Sequence, residues 1–381
     1  MRRVLSLHDF EPAAQRHLPR FLFGYVSGAV EEGLSHQANR QAFAAVGFVP
    51  RALRDVGRRS QARELFGQTY AHPFGICPMG FSAVAANDGD VVLTRTAAEI
   101  GMPAICSGSS LTPLERIAGE GRGRWFQAYL PGDDAHIVPL VERVAAAGFE
   151  TLVLTVDVPV SANRENNIRN GFDAPFRPGL SLAWQCALRP RWFAGTWLDT
   201  LRRRGMPHFE NMAVTRGPPI VPRARVRPWG GRDRVTWAHV GLIRRHWPGR
   251  FVLKGILSPD DAAIAAAEGV DGLIVSNHGG RQLDGAVSPL GQLAAIRERA
   301  LDMTLMLDSG VRRGTDVLKA LAMGAQFVFI GRPFLFAAAI AGPAGVRHAA
   351  QLLGAEIDRD MAMLGIDRLA QLTPELLGPL R

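Results

Sequence analysis

Eight short stretches of the chain are apolar at successive positions, where a half-exposed strand would alternate: FGICPM (74–79), PAICSG (103–108), WFQAYL (125–130), TLVLTVD (151–157), FVLKGI (251–256), GLIVSNH (272–278), TLMLDSG (304–310) and FVFIGR (327–332). Strands of this kind are buried on both faces, as in a parallel sheet covered by helices. Between them lie segments with a helical apolar period, among them DVVLTRTAAEIG, IVPLVERVAAAG, PDDAAIAAAEG and GTDVLKALAMGA. Several close on a glycine suited to a helix C-cap, and the next apolar run starts within a few residues. Eight such units make a (β/α)8 (TIM) barrel. A doubly wound open sheet is the rival, and the lack of G-x-G-x-x-G after the first run favours closure. The expectation is one α/β domain over 1–381. It has an N-terminal helical segment (1–70), a barrel (71–381) and, after the fourth strand, a basic insertion (173–234).

Polar residues gather where these runs end: Gln127 and Tyr129, Thr155 and Asp157, Lys254, Ser276 and His278, Asp308, and Arg332. In a barrel those ends share one face, the face that carries active sites. The turns DSGVRRGTD, with Arg312, and FIGRPF, with Gly331 and Arg332, precede the last two helices. Helix-start N–H groups and guanidinium forks there suit a phosphate. His278 has the titration range of a general base, and Asp157 on the same face supplies a carboxylate to orient it. Arg281, three residues on across a Gly-Gly turn, suits a substrate with a carboxylate near an acidic C–H. Lys254 is open to two readings, a Schiff-base nucleophile of aldolase type or a fixed cation at the edge of an electron-rich cofactor.

Composition narrows the class. No run of about 18 uncharged apolar residues exists, so no spanning helix is expected, and the N-terminus lacks the form of a signal peptide. Cys77, Cys106 and Cys186 contain no CxxC pair, which argues against a disulfide framework or a zinc site, and no metal is expected. From Arg177 to Arg234 twelve arginines face only Asp199, Glu210 and Asp233, a surplus of nine that equals the whole net charge of +9. Charge confined to one interrupted segment argues against a nucleic-acid surface and for a local partner. Its Trp, Phe and Leu mixed with arginines suit a membrane interface, with a solvated lid or an oligomer contact as the alternative. The expected location is cytoplasmic, with peripheral contact at the inner face of the cytoplasmic membrane through 177–234.

The blocks GYVSGA, FQAYL, LTVDVP, NREN, IRNGF, VLKGI, VSNHGGRQLDG, LDSGVRRGTDVLKALAMGA and FIGRP run through nearly the whole chain. In these the sequence resembles the FMN-dependent α-hydroxy-acid dehydrogenase/oxidase family, which includes glycolate oxidase, the flavin L-lactate dehydrogenases and mandelate dehydrogenase. The resemblance implies an FMN across the barrel mouth. Its ring would be held by the backbone of Pro78, Met79 and Gly80 and by Ser107, Gln127, Thr155, Lys254 and Ser276. Its ribityl phosphate would be held by Asp308, Gly310, Arg312, Gly331 and Arg332. Tyr25 and Arg281 would take the substrate carboxylate with help from Arg164, and Tyr129 would meet the substrate oxygen. His278 would act as base, set by Asp157, and Lys254 would be the fixed cation. Family members are commonly tetramers, so the resemblance implies a homo-oligomer.

Gly80 stands where oxidases of the family often carry alanine and dehydrogenases glycine. Ser109 and Ser161 stand where glycolate-specific members carry bulkier groups. These departures point to a mandelate-like or lactate-like L-2-hydroxy acid and to electrons leaving for a quinone or another acceptor. The alternatives are an oxidase that uses O2 and releases peroxide, and a relative acting on a peptide-derived redox-cofactor precursor.

Overall fold

The computed structural model describes residues 3–121, 124–172, 176, 179–221 and 231–380. Each of the eight apolar runs forms a strand: β1 (Phe74–Ile76), β2 (Ile105–Ser107), β3 (Trp125–Ala128), β4 (Thr151–Thr155), β5 (Arg250–Ile256), β6 (Gly272–Val275), β7 (Thr304–Leu307) and β8 (Phe327–Ile330). All are parallel, in hydrogen-bonded order β1-β8-β7-β6-β5-β4-β3-β2. The two ends of that order meet where the Ile76 N–H donates to the Pro103 carbonyl at 2.9 Å, beside an Ile76–Ala104 bridge. The architecture is the expected (β/α)8 barrel.

Its interior follows from the two-residue period of a strand. Ile105, Trp125, Val153, Val252, Ile274, Met306 and Phe329 point inward and form one buried cluster. Outward-facing neighbours such as Leu152, Leu253, Leu273, Leu305 and Val328 pack under the helices in the main core. Each such side chain contributes on the order of 1.5–3 kcal/mol by leaving water.

The N-terminal 70 residues correct the helical expectation in part. Helices Phe10–His17, Arg20–Ser27 and Leu34–Ala44 are present, but three short strands accompany them. Val46–Phe48 pairs antiparallel with Leu377–Pro379 near the chain's other end. Arg63–Leu65 and Gln68–Tyr70 form a hairpin whose turn residues, Phe66 (φ 52°) and Gly67 (φ 79°), have the doubly positive φ of a tight type I′ turn. Leu65, Phe66 and Tyr70 pack on the inner cluster from below, closing the end of the barrel opposite the site.

The described part of the insertion carries helices Leu180–Ala187 and Asp199–Arg204 with a short π-helical turn, Phe193–Leu198, before the latter. Trp192 anchors it, 1% exposed, its indole N–H donating to the Val84 carbonyl at 2.9 Å. Arg177, Arg223, Arg225 and Arg227, which supply part of the expected basic surplus, lie outside the described residues.

Candidate active site

Two residues beyond the inner apolar layer, the same strand faces turn polar. Ile105 leads to Ser107, Trp125 to Gln127 and Tyr129, and Val153 to Thr155 and Asp157. Val252 leads to Lys254, Ile274 to Ser276 and His278, and Met306 to Asp308 and Gly310. Tyr129, Lys254, His278, Asp308 and Gly310 of this layer line a cavity of about 500 Å³ at the barrel mouth, within the usual range for cofactor sites. Of the expected residues, Tyr25, Pro78, Met79, Gly80, Tyr129, Arg164, Lys254, His278, Arg281, Asp308, Gly310, Arg312, Gly331 and Arg332 line it. Ser107, Gln127, Thr155, Asp157 and Ser276 stand behind that lining.

His278 Nδ1 lies 2.9 Å from Asp157 Oδ1 and 3.2 Å from Oδ2. Burial holds the imidazole pKa below the ordinary histidine value, although Asp157 acts the other way. The ring is therefore neutral at pH 7, with Nδ1–H donating to Asp157 and the Nε2 lone pair left for a substrate proton. Two local features fix this pair. At Gly255 (φ 108°) the β5–β6 register slips by one residue, and a Cβ there would stand 2.6 Å from Asp157 Cβ. The glycine after Lys254 thus makes room for the carboxylate. The second is the turn after β6. Gly279 (φ 68°) and Gly280 (φ 72°) are left-handed as the sequence suggests, but the turn begins at His278 itself, φ 59°. That conformation costs a residue with a side chain roughly 1–2 kcal/mol.

The N-terminal segment holds that turn in place. Asn39 and Asn277 exchange side-chain hydrogen bonds at 2.8 and 2.7 Å, and the Val30 N–H donates to the Gly280 carbonyl at 3.0 Å. These residues escaped the sequence reading, which took only Tyr25 from that segment into the site. The only signal was Asn277 within the SNHGG block.

Lys254 Nζ lies 2.8 Å from Ser276 Oγ and 3.1 Å from Asp308 Oδ2. Burial opposes its charge, but Asp308 and then Asp157 outweigh burial and hold its pKa above the ordinary lysine value. A Schiff-base lysine must be neutral to attack, so the aldolase reading fails on this pair. Asp308 also accepts from Cys77 Sγ at 3.1 Å and Ser309 Oγ at 2.8 Å. Cys77, dismissed with the other cysteines, is thus a wall of the site, and Ser309 (φ 77°) starts the turn that Gly310 completes.

Arg281 sits with its guanidinium carbon 5.1 Å from the Tyr25 ring centroid, and Tyr25 stacks on Phe172 at 4.0 Å. Burial brings the pKa of Arg281 down to about 10, and Arg164 adds to the effect. Arg164 donates to the Arg281 carbonyl at 3.0 Å and to the Gln282 side-chain oxygen. Burial pushes Tyr129 up to about 12, which keeps it a phenol donor.

Arg312 and Arg332 are both partly buried and form no carboxylate ion pair among the described residues. Burial brings the pKa of Arg312 down to about 10 and lowers that of Arg332, to which Arg281 and Arg312 add their repulsion. Arg332 spends its fork on the carbonyls of Val26 (3.0 Å), Gly28 (2.9 Å) and Gly279 (3.1 Å). Its contribution to an anion is a fixed charge at the start of the helix from Arg332, the positive end of the helix dipole. Clustered cations without an acid are stable only when an anion joins them.

Two polar atoms of the floor, Gln127 Nε2 and Thr155 Oγ1, are buried without a hydrogen-bond partner. Ser107 Oγ donates to Gln127 Oε1 at 3.1 Å and fixes which way that amide points. Buried polar groups are nearly always satisfied, so these two await a ligand. Gly80 allows a close approach to Ser109, since a Cβ there would stand 2.9 Å from Ser109 Cβ. Ser109, Ser161, Phe172, Phe209 and Met212 form the roomier wall.

Residues 14–379 match the family of FMN-dependent dehydrogenases. An L-lactate dehydrogenase of Ectopseudomonas mendocina is 36% identical over 375 residues, covering 97% of each chain. An (S)-mandelate dehydrogenase of Pseudomonas putida is 34% identical, covering 98% of this chain and 94% of its own. Among solved structures, the monotopic membrane protein (S)-mandelate dehydrogenase superposes with a TM-score of 0.89 at 32% identity, over 99% of this chain and all of that one.

Proposed function

The chain belongs to the FMN-dependent dehydrogenase family, and from that premise we propose how its residues carry the reaction and where the electrons go. It is an oxidoreductase that uses FMN to oxidise L-2-hydroxy acids to 2-keto acids. When bound, FMN takes up the two electrons that leave the substrate's α-carbon.

The cavity fits that cofactor. Gln127 and Thr155 would give their unpartnered polar atoms to the ring, with Ser107 and Ser276 setting the positions of their neighbours. Lys254, kept charged by Asp308, would support negative charge at the ring edge. Arg312, Arg332 and the backbone at Gly310 and Gly331 would receive the phosphate. Arg281 and Tyr25 would take the substrate carboxylate, Arg164 would brace Arg281, and Tyr129 would donate to the hydroxyl oxygen. That places the α-carbon and its hydroxyl beside His278.

The observation that carries this reading is the hydrogen bond between His278 and Asp157 at a cavity that Arg281 also lines. As a proton passes to Nε2, Asp157 stabilises the imidazolium that forms. His278 and the carboxylate anchor Arg281 share the turn after β6, and Asp157 reaches the base from the end of β4.

We infer further that the electrons go to a quinone at a membrane face. No helix among the described residues is long and apolar enough to cross a membrane. Leu180, Trp184 and Leu188, spaced by four, are 92%, 65% and 52% exposed along one helical face, and Arg189 and Arg191 follow them, as suits an interfacial segment. Replacing all three by serine should abolish sedimentation with anionic liposomes while flavin content stays unchanged. Undiminished sedimentation would remove the membrane reading. In air, turnover with a soluble quinone analogue should exceed peroxide formation at least tenfold. Stoichiometric peroxide without added acceptor would instead favour the oxidase.

A further inference from the structure

Arg232 lies where the insertion returns to the barrel. The Gly132 N–H donates to the Gly231 carbonyl at 2.7 Å, clamping the returning chain to the loop that follows β3 and Tyr129. A single 3-10 turn, Arg232–Arg234, then leads into the helix Trp237–His246. So held, the Arg232 guanidinium carbon stands 5.7 Å from the Tyr129 ring centroid and lines the same cavity as His278.

The charges around that cavity do not balance. Arg164, Arg232, Lys254, Arg281, Arg312 and Arg332 line it, and Asp308 is the one acid among the described lining residues. Lys254 is paired with Asp308. A bound phosphate would answer Arg312 and Arg332, and a substrate α-carboxylate would answer Arg281. Arg164 donates to the Arg281 carbonyl and to Gln282. Among the described residues Arg232 has no carboxylate partner, and its Nε–H is buried with no acceptor. Burial lowers its pKa, Tyr129 acts in the opposite direction, and Arg164 adds to the lowering. A buried guanidinium donor facing a cavity is satisfied by an anionic oxygen better than by any neutral group.

We propose that Arg232 recognises a second anionic group on the substrate, so that the preferred L-2-hydroxy acids carry a carboxylate at the far end of the side chain. The inference rests on the hydroxy-acid reading above and deepens it. Ser109 and Ser161 leave the length for such a side chain, and Arg232 sets the chemistry of its tip. An acid ending in a methyl group would leave the Nε–H unsatisfied.

The test compares shape-matched acids on the holoenzyme, (S)-2-hydroxyglutarate with (S)-2-hydroxypentanoate, and (S)-4-carboxymandelate with (S)-4-methylmandelate. In each pair kcat/KM should favour the carboxylate by about tenfold or more, the range of a hydrogen bond to a charged group. Arg232→Gln should lower that ratio about tenfold or more, and Arg232→Lys should keep part of the preference. Flavin content and thermal midpoint report whether each variant is folded, and the wild-type ratio tests the proposal without any variant. A wild-type ratio near or below one overturns it, as does an equal loss on both members of a pair in Arg232→Gln. If none of the four reduces the flavin while (S)-mandelate or L-lactate does, the second-anion proposal alone is overturned; if those two are inert as well, the hydroxy-acid reading falls with it.

Discussion

His278→Gln should retain the flavin and lose substrate-driven flavin reduction by about 10²–10⁴-fold, the usual contribution of a positioned general base. Glutamine keeps a polar group near Asp157 but has no nitrogen lone pair to accept a proton. The variant should still bind the substrate through Arg281 and Tyr25, so the dissociation constant of the 2-keto acid product should change little. Flavin content measured by absorbance separates loss of chemistry from loss of cofactor. The wild-type pH profile follows from the same pair. Burial holds the imidazole below the ordinary value of about 6.5, so the base form persists through neutrality. Activity should fall only as acid takes the pH through that lowered value. An acid limb of kcat/KM above about 7 would contradict the assignment, and so would a His278→Gln enzyme that still reduces its flavin at the wild-type rate.

Lys254→Met carries the second large effect, and its first readout is stability. The Lys254 and Asp308 side chains are 4% and 6% exposed, so solvent screens their 3.1 Å contact very little. Methionine would fill the volume and leave the Asp308 carboxylate buried without its cation. Breaking a buried pair on one side costs about 3–5 kcal/mol, readable as a lowered urea midpoint. Asp308→Asn added to Lys254→Met should restore much of the loss, because no orphan charge then remains. The pH dependence should also change sign. In the wild type burial pushes the Asp308 pKa up, but Lys254 together with hydrogen bonds from Ser276, Cys77 and Ser309 holds it below the ordinary carboxylate value. Its stabilisation is present above about pH 3.9 and is lost as the pH falls through the folded value. In Lys254→Met burial, the largest influence, is opposed only by the hydrogen bonds of Ser276, Cys77 and Ser309, so that pKa should rise and stability should improve as acid protonates Asp308. A single variant as stable as the wild type, or a double variant no better than the single, would refute the ion-pair account.

The barrel was legible because each strand is apolar on both faces, a pattern that strands covered on one side only cannot produce. The placement of the site was legible for the same reason. Once Trp125 and Val153 are taken as inward-facing, the two-residue period carries Gln127, Thr155 and Asp157 to the mouth. Partnerships across the barrel were harder to read. Lys254 and Asp308 are 54 residues apart in sequence, and only β5, β6 and β7 standing side by side bring them together. Cys77 looked inert because its environment, an Asp308 oxygen, comes from the end of β7, which only the pairing of β8 with β1 and β7 brings near it. The hairpin at 63–70 was lost in a polar stretch, since three-residue strands carry too little alternation to outweigh their flanks. Arg232 was counted among the insertion's arginines and never singled out, because nothing local distinguishes it from Arg234 two positions on.

The central claim, that this chain moves electrons from an L-2-hydroxy acid to bound FMN through His278, is tested most directly by anaerobic mixing. Purified holoenzyme would be combined with (S)-mandelate, L-lactate and the dicarboxylate acids in a stopped-flow spectrometer while the flavin's visible absorption is followed. The account predicts full bleaching within the turnover time by at least one L-acid, none by its D-enantiomer, and recovery of colour on adding a quinone analogue. Flavin that stays oxidised with every 2-hydroxy acid, or bleaches equally fast in the His278→Gln enzyme, would contradict it.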